Sequence, residues 1–120
     1  MHELAIAEAV LGVALDHAGG RRIRSVELRV GRLRQVVPEA LAFSFELVCQ
    51  GTPAEGAELV LEEVPAEGDC RACRARSVLS TFPLRCERCG GLNVEIVRGE
   101  ELCVDALEVT DAQPVLEEAT

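Results

Sequence analysis

Cys70-Arg71-Ala72-Cys73, twelve residues, then Cys86-Glu87-Arg88-Cys89-Gly90-Gly91: this stretch decides how the chain is organised. Each C-x-x-C pair presents two sulfurs to one ion from a tight turn, and two pairs supply the four thiolates of a closed tetrahedral zinc shell. Gly90 and Gly91 relieve crowding where backbone wraps a metal. The spacer is slightly shorter than is usual for such pairs, and a short hairpin can fill it. A closed shell has no position left for water, so a zinc ion on Cys70, Cys73, Cys86 and Cys89 would be structural, not catalytic. Two other readings stand beside it. A redox pair needs only one C-x-x-C, at a helix N-terminus, and disulfides belong to oxidising compartments.

The surrounding block, residues 66–98, contains few large apolar residues: Val78, Leu79, Phe82, Leu84, Leu92, Val94, Ile96 and Val97. A segment of that size buries too little surface to fold unaided and needs a staple such as a metal. Its six arginines and four acids leave it at +2. A zinc dication on four thiolates, at about −2, would bring it near neutrality.

The flanks read differently. Over residues 3–18, Leu4, Ala7, Leu11, Ala14, Leu15 and Ala18 recur at helical spacing. The polar stripe of Glu8, Gly12 and Asp16 is narrow, which predicts a helix lying largely buried against a sheet. Gly19-Gly20 stops it. Arg21, Arg22 and Arg24 read as a solvated loop. Residues 25–33 alternate as a strand through Val26, Leu28 and Val30, with Gly31 a bulge or strand end. Pro38 opens a second helix with an apolar face of Leu41, Ala42, Phe45, Val48 and Cys49, and Gly51 stands where its cap belongs. Residues 57–64 and 100–109 read as further strands, the last carried by Leu102, Val104, Ala106 and Leu107. The cysteine block offers no core to cover this last strand, so it should return to the first sheet. The expected class is α+β: a small sheet packed by two helices, built from residues 1–65 and 99–111, with a zinc ribbon inserted at 66–98 and a loose tail at 112–120.

The composition excludes several functions. A net charge of −9 argues against nucleic acid. Charges interrupt every apolar run, so no segment is long enough to span a membrane. No basic start or unbroken apolar region marks a secretory leader, and we read the chain as cytoplasmic, where paired C-x-x-C spacing favours metal over disulfides. There is no Ser-His-Asp set, phosphate loop or open zinc site, and with two His and no Lys few general bases exist. An enzyme is not expected. Cys49 and Cys103 sit in apolar patterns and read as core residues. His17 reads as a last-turn residue, where positive charge is welcome.

The amino terminus is Met1-His2-Glu3. A free α-amine, the His2 amide nitrogen and the His2 imidazole can close adjacent five- and six-membered chelate rings on one ion. The Glu3 amide or a carboxylate could complete a square plane, a geometry suited to Ni(II) or Cu(II). From spacing alone, a solvated histidine is the commoner outcome.

Taken together, these motifs resemble the hydrogenase nickel-incorporation proteins of the HypA type. The match is carried by Met1-His2-Glu3-Leu4, Val30-Gly31-Arg32-Leu33, the run from Pro38 to Glu46, Gly51-Thr52, Ala57-Glu58-Leu59, the two cysteine pairs and Gly99-Glu100-Glu101-Leu102. It spans roughly residues 1–110. The resemblance implies an α/β nickel domain with an inserted zinc ribbon. Nickel would be bound through Met1, His2 and Glu3, with the His2 side chain central and Glu3 contributing its backbone. The chain would be a nickel metallochaperone, carrying Ni(2+) as cargo and Zn(2+) as a structural ion. It would deliver nickel to the large subunit precursor of a [NiFe]-hydrogenase with a maturation GTPase of the HypB type, and urease maturation proteins are a second client in some relatives. Two positions depart from the pattern. In some relatives a carboxylate just before the second helix is a further nickel ligand, and the aligned residue here is Val37, which leaves the fourth donor open. Many relatives also have Pro where this chain has Glu87. The alternative reading is a zinc-ribbon adaptor for protein–protein interaction.

Overall fold

A computed structural model describes residues 2–110 of the 120; the expected tail at 112–120 lies outside them. The chain forms two compact units. The first comprises Met1–Arg29, Val36–Glu62 and the stretch from Cys103; the second comprises Val30–Gln35 and Glu63–Leu102.

In the first unit, α1 (Glu3–Ala18) packs against α2 (Pro38–Cys49). On α1, Ala7, Val10, Leu11, Ala14 and Ala18 are buried. From α2 come Leu41, Phe45 and Cys49, also buried. α1 ends as its sequence predicts: Gly19 takes a left-handed conformation (φ 61°) and its N–H donates to the Leu15 carbonyl. The expectation that α1 would be largely buried is corrected: Leu4 and Val13 are 52% and 43% exposed. A helix at the surface of a small domain buries one stripe of its cylinder. For the same reason Ala42 of α2 is exposed.

A three-stranded sheet has the order β2-β1-β6, with β1 (Ile23–Gly31) central, β2 (Glu58–Val64) on one side and β6 (Leu102–Val109) on the other. The last strand thus returns to the first sheet, as expected. Val26, Leu28 and Val30 form its buried row. β1 lies two residues earlier than its sequence pattern suggested. Ile23 is buried and its N–H donates to the Pro53 carbonyl (2.9 Å), which starts the strand early. Gly31 ends it: a Cβ there would collide with the Gly99 carbonyl, so backbone meets backbone. Arg32–Arg34 is a 3-10 turn, not strand. Arg21 and Arg22 are exposed and lie in a loop, and each also bonds backbone. Arg21 Nε donates to the Ala18 carbonyl (2.7 Å), holding the end of α1, and Arg22 donates to the Glu55 carbonyl (2.8 Å). Arg24 lies in β1. Cys103 is the last correction. Its apolar surroundings predict a core residue, yet it is exposed, because β6 turns Leu102 and Val104 to the covered side and Cys103 to the other.

The second unit holds an antiparallel sheet of order β4-β3-β5, from β3 (Glu67–Cys70), β4 (Arg76–Val78) and β5 (Val94–Arg98). Gly68 is buried at its centre, where a Cβ would strike the side chains of Val94 and Leu79. Of the large apolar side chains in residues 66–98 only Leu79 is buried, while Phe82 and Leu92 are more than 60% exposed. Besides Gly68, the other buried positions in residues 66–98 are Ala66, Ser77, Cys70 and Cys86. So small a core cannot offset the chain entropy of ordering the block.

Candidate metal centres

The two cysteine pairs fold into the same turn. Cys70 N–H donates to the Ala75 carbonyl (2.9 Å), and Arg74 N–H returns to the Cys70 carbonyl (2.8 Å). In the second pair Cys86 N–H donates to the Gly91 carbonyl and Gly90 N–H returns to the Cys86 carbonyl, both at 2.9 Å. Each turn therefore places its fifth residue in a left-handed conformation, with φ 66° at Arg74 and 76° at Gly90. β3 delivers Cys70 into the first turn, and Arg71 N–H bonds the Asn93 carbonyl just ahead of β5 (2.9 Å).

The turns face each other with sulfurs inward. Cys70 Sγ lies 3.6 Å from Cys89 Sγ, Cys73 Sγ lies 3.6 Å from Cys86 Sγ, and all four lie within 4.8 Å of one another. A disulfide would need about 2.05 Å. A tetrahedron of zinc–sulfur bonds of about 2.3 Å has edges of about 3.8 Å. The four thiols fit one tetrahedral ion and are not bonded to each other. The turns also point amides at the sulfurs. Cys73 N–H donates to Cys70 Sγ (3.4 Å), Arg88 and Cys89 N–H to Cys86 Sγ (3.3 and 3.5 Å), and Gly91 N–H to Cys89 Sγ (3.4 Å).

These amides favour thiolate. The Cys89 and Arg88 amides bring Cys86 down to about 6, and those of Cys73 and Ala72 lower Cys70. Cys89 goes the other way: the Gly91 amide pulls it down, but the thiols of Cys70 and Cys73 outweigh that and lift it to about 11. Four sulfurs this close cannot all ionise without a cation to balance them, so metal binding and thiolate formation go together. Asp69 and Arg76 brace β3 to β4 beside the site with two short bonds (2.7 and 3.0 Å). Cys49 takes no part; burial pushes its thiol up to about 11, as suits a core residue.

At the amino terminus His2 is exposed and precedes the first residue of α1. Its carbonyl accepts from the Ile6 N–H (2.9 Å), and its ring bonds no other described group. Glu3 is buried, and its carboxylate accepts the Val37 N–H at 2.9 Å. Met1 lies outside the described residues. His17 is in the last turn of α1, where its Nδ1 pairs with the Val13 carbonyl (2.9 Å), a bond in which the ring N–H donates. The amino-terminal residues and the four cysteines belong to different units. Sequence reasoning missed the bond from Glu3 to Val37 and the left-handed arginine in the first turn. The only trace of the former was an acid in the first turn of α1 and no capping side chain at Val37.

A small α+β fold carrying a four-thiol cluster with tetrahedral spacing is the architecture of a metal-binding protein. Comparison makes the class specific. Residues 1–109 match the family described as hydrogenase/urease nickel incorporation, metallochaperone, hypA. A hydrogenase maturation factor HypA from Geotalea uraniireducens is 44% identical over 109 residues, covering 91% of this chain and 99% of that protein. One from Streptomyces avermitilis is 43% identical over 118 residues, covering 94% and 90%. The chain belongs to the HypA family of nickel metallochaperones. The solution structure of the Ni metallochaperone HypA from Helicobacter pylori shares the fold, with a TM-score of 0.64 at 21% identity over 91% of this chain and 97% of that one. A second solution structure of a HypA protein gives 0.66 at 21%, over 93% and 98%.

Proposed function

We propose that this chain captures Ni(II) at its amino terminus and delivers it to the large subunit precursor of a [NiFe]-hydrogenase. The observation that carries the reading is His2: exposed, at the start of a helix, with its ring uncommitted. The ion would be held by the Met1 amine, the His2 amide and imidazole and the backbone of Glu3, in a planar nitrogen-rich set. Such a site is shallow. Its ligands can be replaced one at a time by a deeper site in the client, so release is ligand exchange rather than catalysis. A GTPase of the HypB type is the partner that family membership suggests, with urease maturation as a second route. The nickel role falls to residues 1–65 with 99–111, and the ribbon at 66–98 holds a structural zinc on Cys70, Cys73, Cys86 and Cys89.

The test is a Ni(II) titration of zinc-loaded protein with a native amino terminus, beside His2→Ala. One nickel in the wild type and none in the variant, with zinc content unchanged, is the expected result. Equal nickel binding by both would leave a zinc-ribbon adaptor as the better description.

A further inference from the structure

The start of α2 lacks the chemistry a helix start needs. Its N-cap is Val37, which has no side-chain oxygen to accept from the first-turn amides and makes no capping bond. Three residues on, where a Glu or Gln could reach back to the N-cap amide, stands Ala40. The Val37 N–H is nevertheless partnered, by a carboxylate oxygen of Glu3 at 2.9 Å, 34 residues away in sequence. Glu3 is itself the first residue of α1 and only 9% exposed.

We infer that Glu3 is a positioning residue: its carboxylate serves as the missing cap of α2, and so ties the nickel-binding amino terminus to that helix. The inference rests on the amino-terminal nickel site proposed above and assigns the Glu3 side chain a role apart from ligation. A carboxylate at this point satisfies an orphan donor and also faces the positive end of α2. The consequence for the site is geometric. Chelation through the Glu3 backbone requires the residues before α1 to hold one conformation. A side chain anchored on a second helix removes the freedom the first turn of α1 would otherwise have. It also imposes a choice, because a carboxylate that swung to the ion would leave the Val37 amide without its partner.

Amide exchange by NMR and nickel titration on Glu3→Gln, Glu3→Ala and Glu3→Ala/Val37→Ser test it. Without nickel, the Val37 amide is protected in the wild type and in Glu3→Gln, whose side-chain oxygen can still accept, and loses protection in Glu3→Ala. Nickel binding is close to wild type in Glu3→Gln and weaker by roughly fivefold to tenfold in Glu3→Ala, the size of a lost cap. The double variant regains a local cap but not the tie, and its nickel binding stays weak. Addition of nickel leaves the Val37 amide protected. Three results overturn the inference: unchanged Val37 exchange in Glu3→Ala, full recovery of affinity by Val37→Ser, or loss of Val37 protection on adding nickel together with a Gln variant as weak as Ala. The last would make the carboxylate a ligand. The nickel-free exchange arm is independent of where nickel binds, so failure of the amino-terminal site would show in His2→Ala and not here.

Discussion

Arg74 and Gly90 occupy the same place in two copies of one turn, both left-handed, and only one of them is suited to it. A residue with a Cβ pays about 1 kcal/mol or more for that conformation, and glycine does not. Arg74→Gly should therefore stabilise the metal-loaded protein by about 1 kcal/mol, and Gly90→Ala should destabilise it by a similar amount. Thermal melts of the two variants check this, and opposite signs are the expected pattern. The Arg74 side chain makes no bond with another described group, so no contact is lost to offset the gain. Nothing in the spacing of C-R-A-C-R distinguishes this position. The conformation comes from the returning bond of its amide to the Cys70 carbonyl.

At the scale of elements, the end of β1 is the sharpest feature. Gly31 N–H donates to the Glu101 carbonyl (2.7 Å), and Leu33 N–H to the Gly99 carbonyl (2.8 Å). The strands meet so closely that a methyl group at position 31 has nowhere to go, and what it would strike is backbone, which cannot swing aside. Gly31→Ala should cost about 3 kcal/mol, the upper end of overpacking. Denaturant unfolding measures it, and a cost below about 1 kcal/mol would mean that the two strand ends separate easily. Helices were the most legible elements. α1 and α2 have the bounds that Gly19, Pro38 and Gly51 mark out, since helix stops and starts are written in local chemistry. The short strands β3, β4 and β5 were not legible. Three to five residues such as Arg76–Val78 carry no periodicity, and they become strands by pairing across the metal turns.

On the scale of the whole molecule, the two units differ in what holds them. The first has a core of aliphatic side chains around Phe45, Leu41 and Leu28; residues 66–98 of the second bury a single large apolar residue, Leu79. Removing the metal should therefore unfold one and spare the other. Treatment with a strong chelator is expected to abolish amide protection across β3, β4 and β5 while α1, α2 and β1 keep theirs. A second unit that stayed protected after verified loss of metal would refute the staple.

The cysteine spacing determined by itself that four sulfurs would meet, because two C-x-x-C turns can satisfy one tetrahedral ion with no help from distant residues. The same holds for the helix bounds and for the family, which is carried by motifs that are local in sequence. Other features were settled only by tertiary structure. Which side of β6 is covered put Cys103 outside, against the apolar pattern around it. The backbone partners of the exposed Arg21 and Arg22 were decided by the carbonyls that happened to face them. The partner of the Glu3 carboxylate was an amide on another helix. Each of these depends on what lies opposite in space, and sequence neighbours carry no record of that.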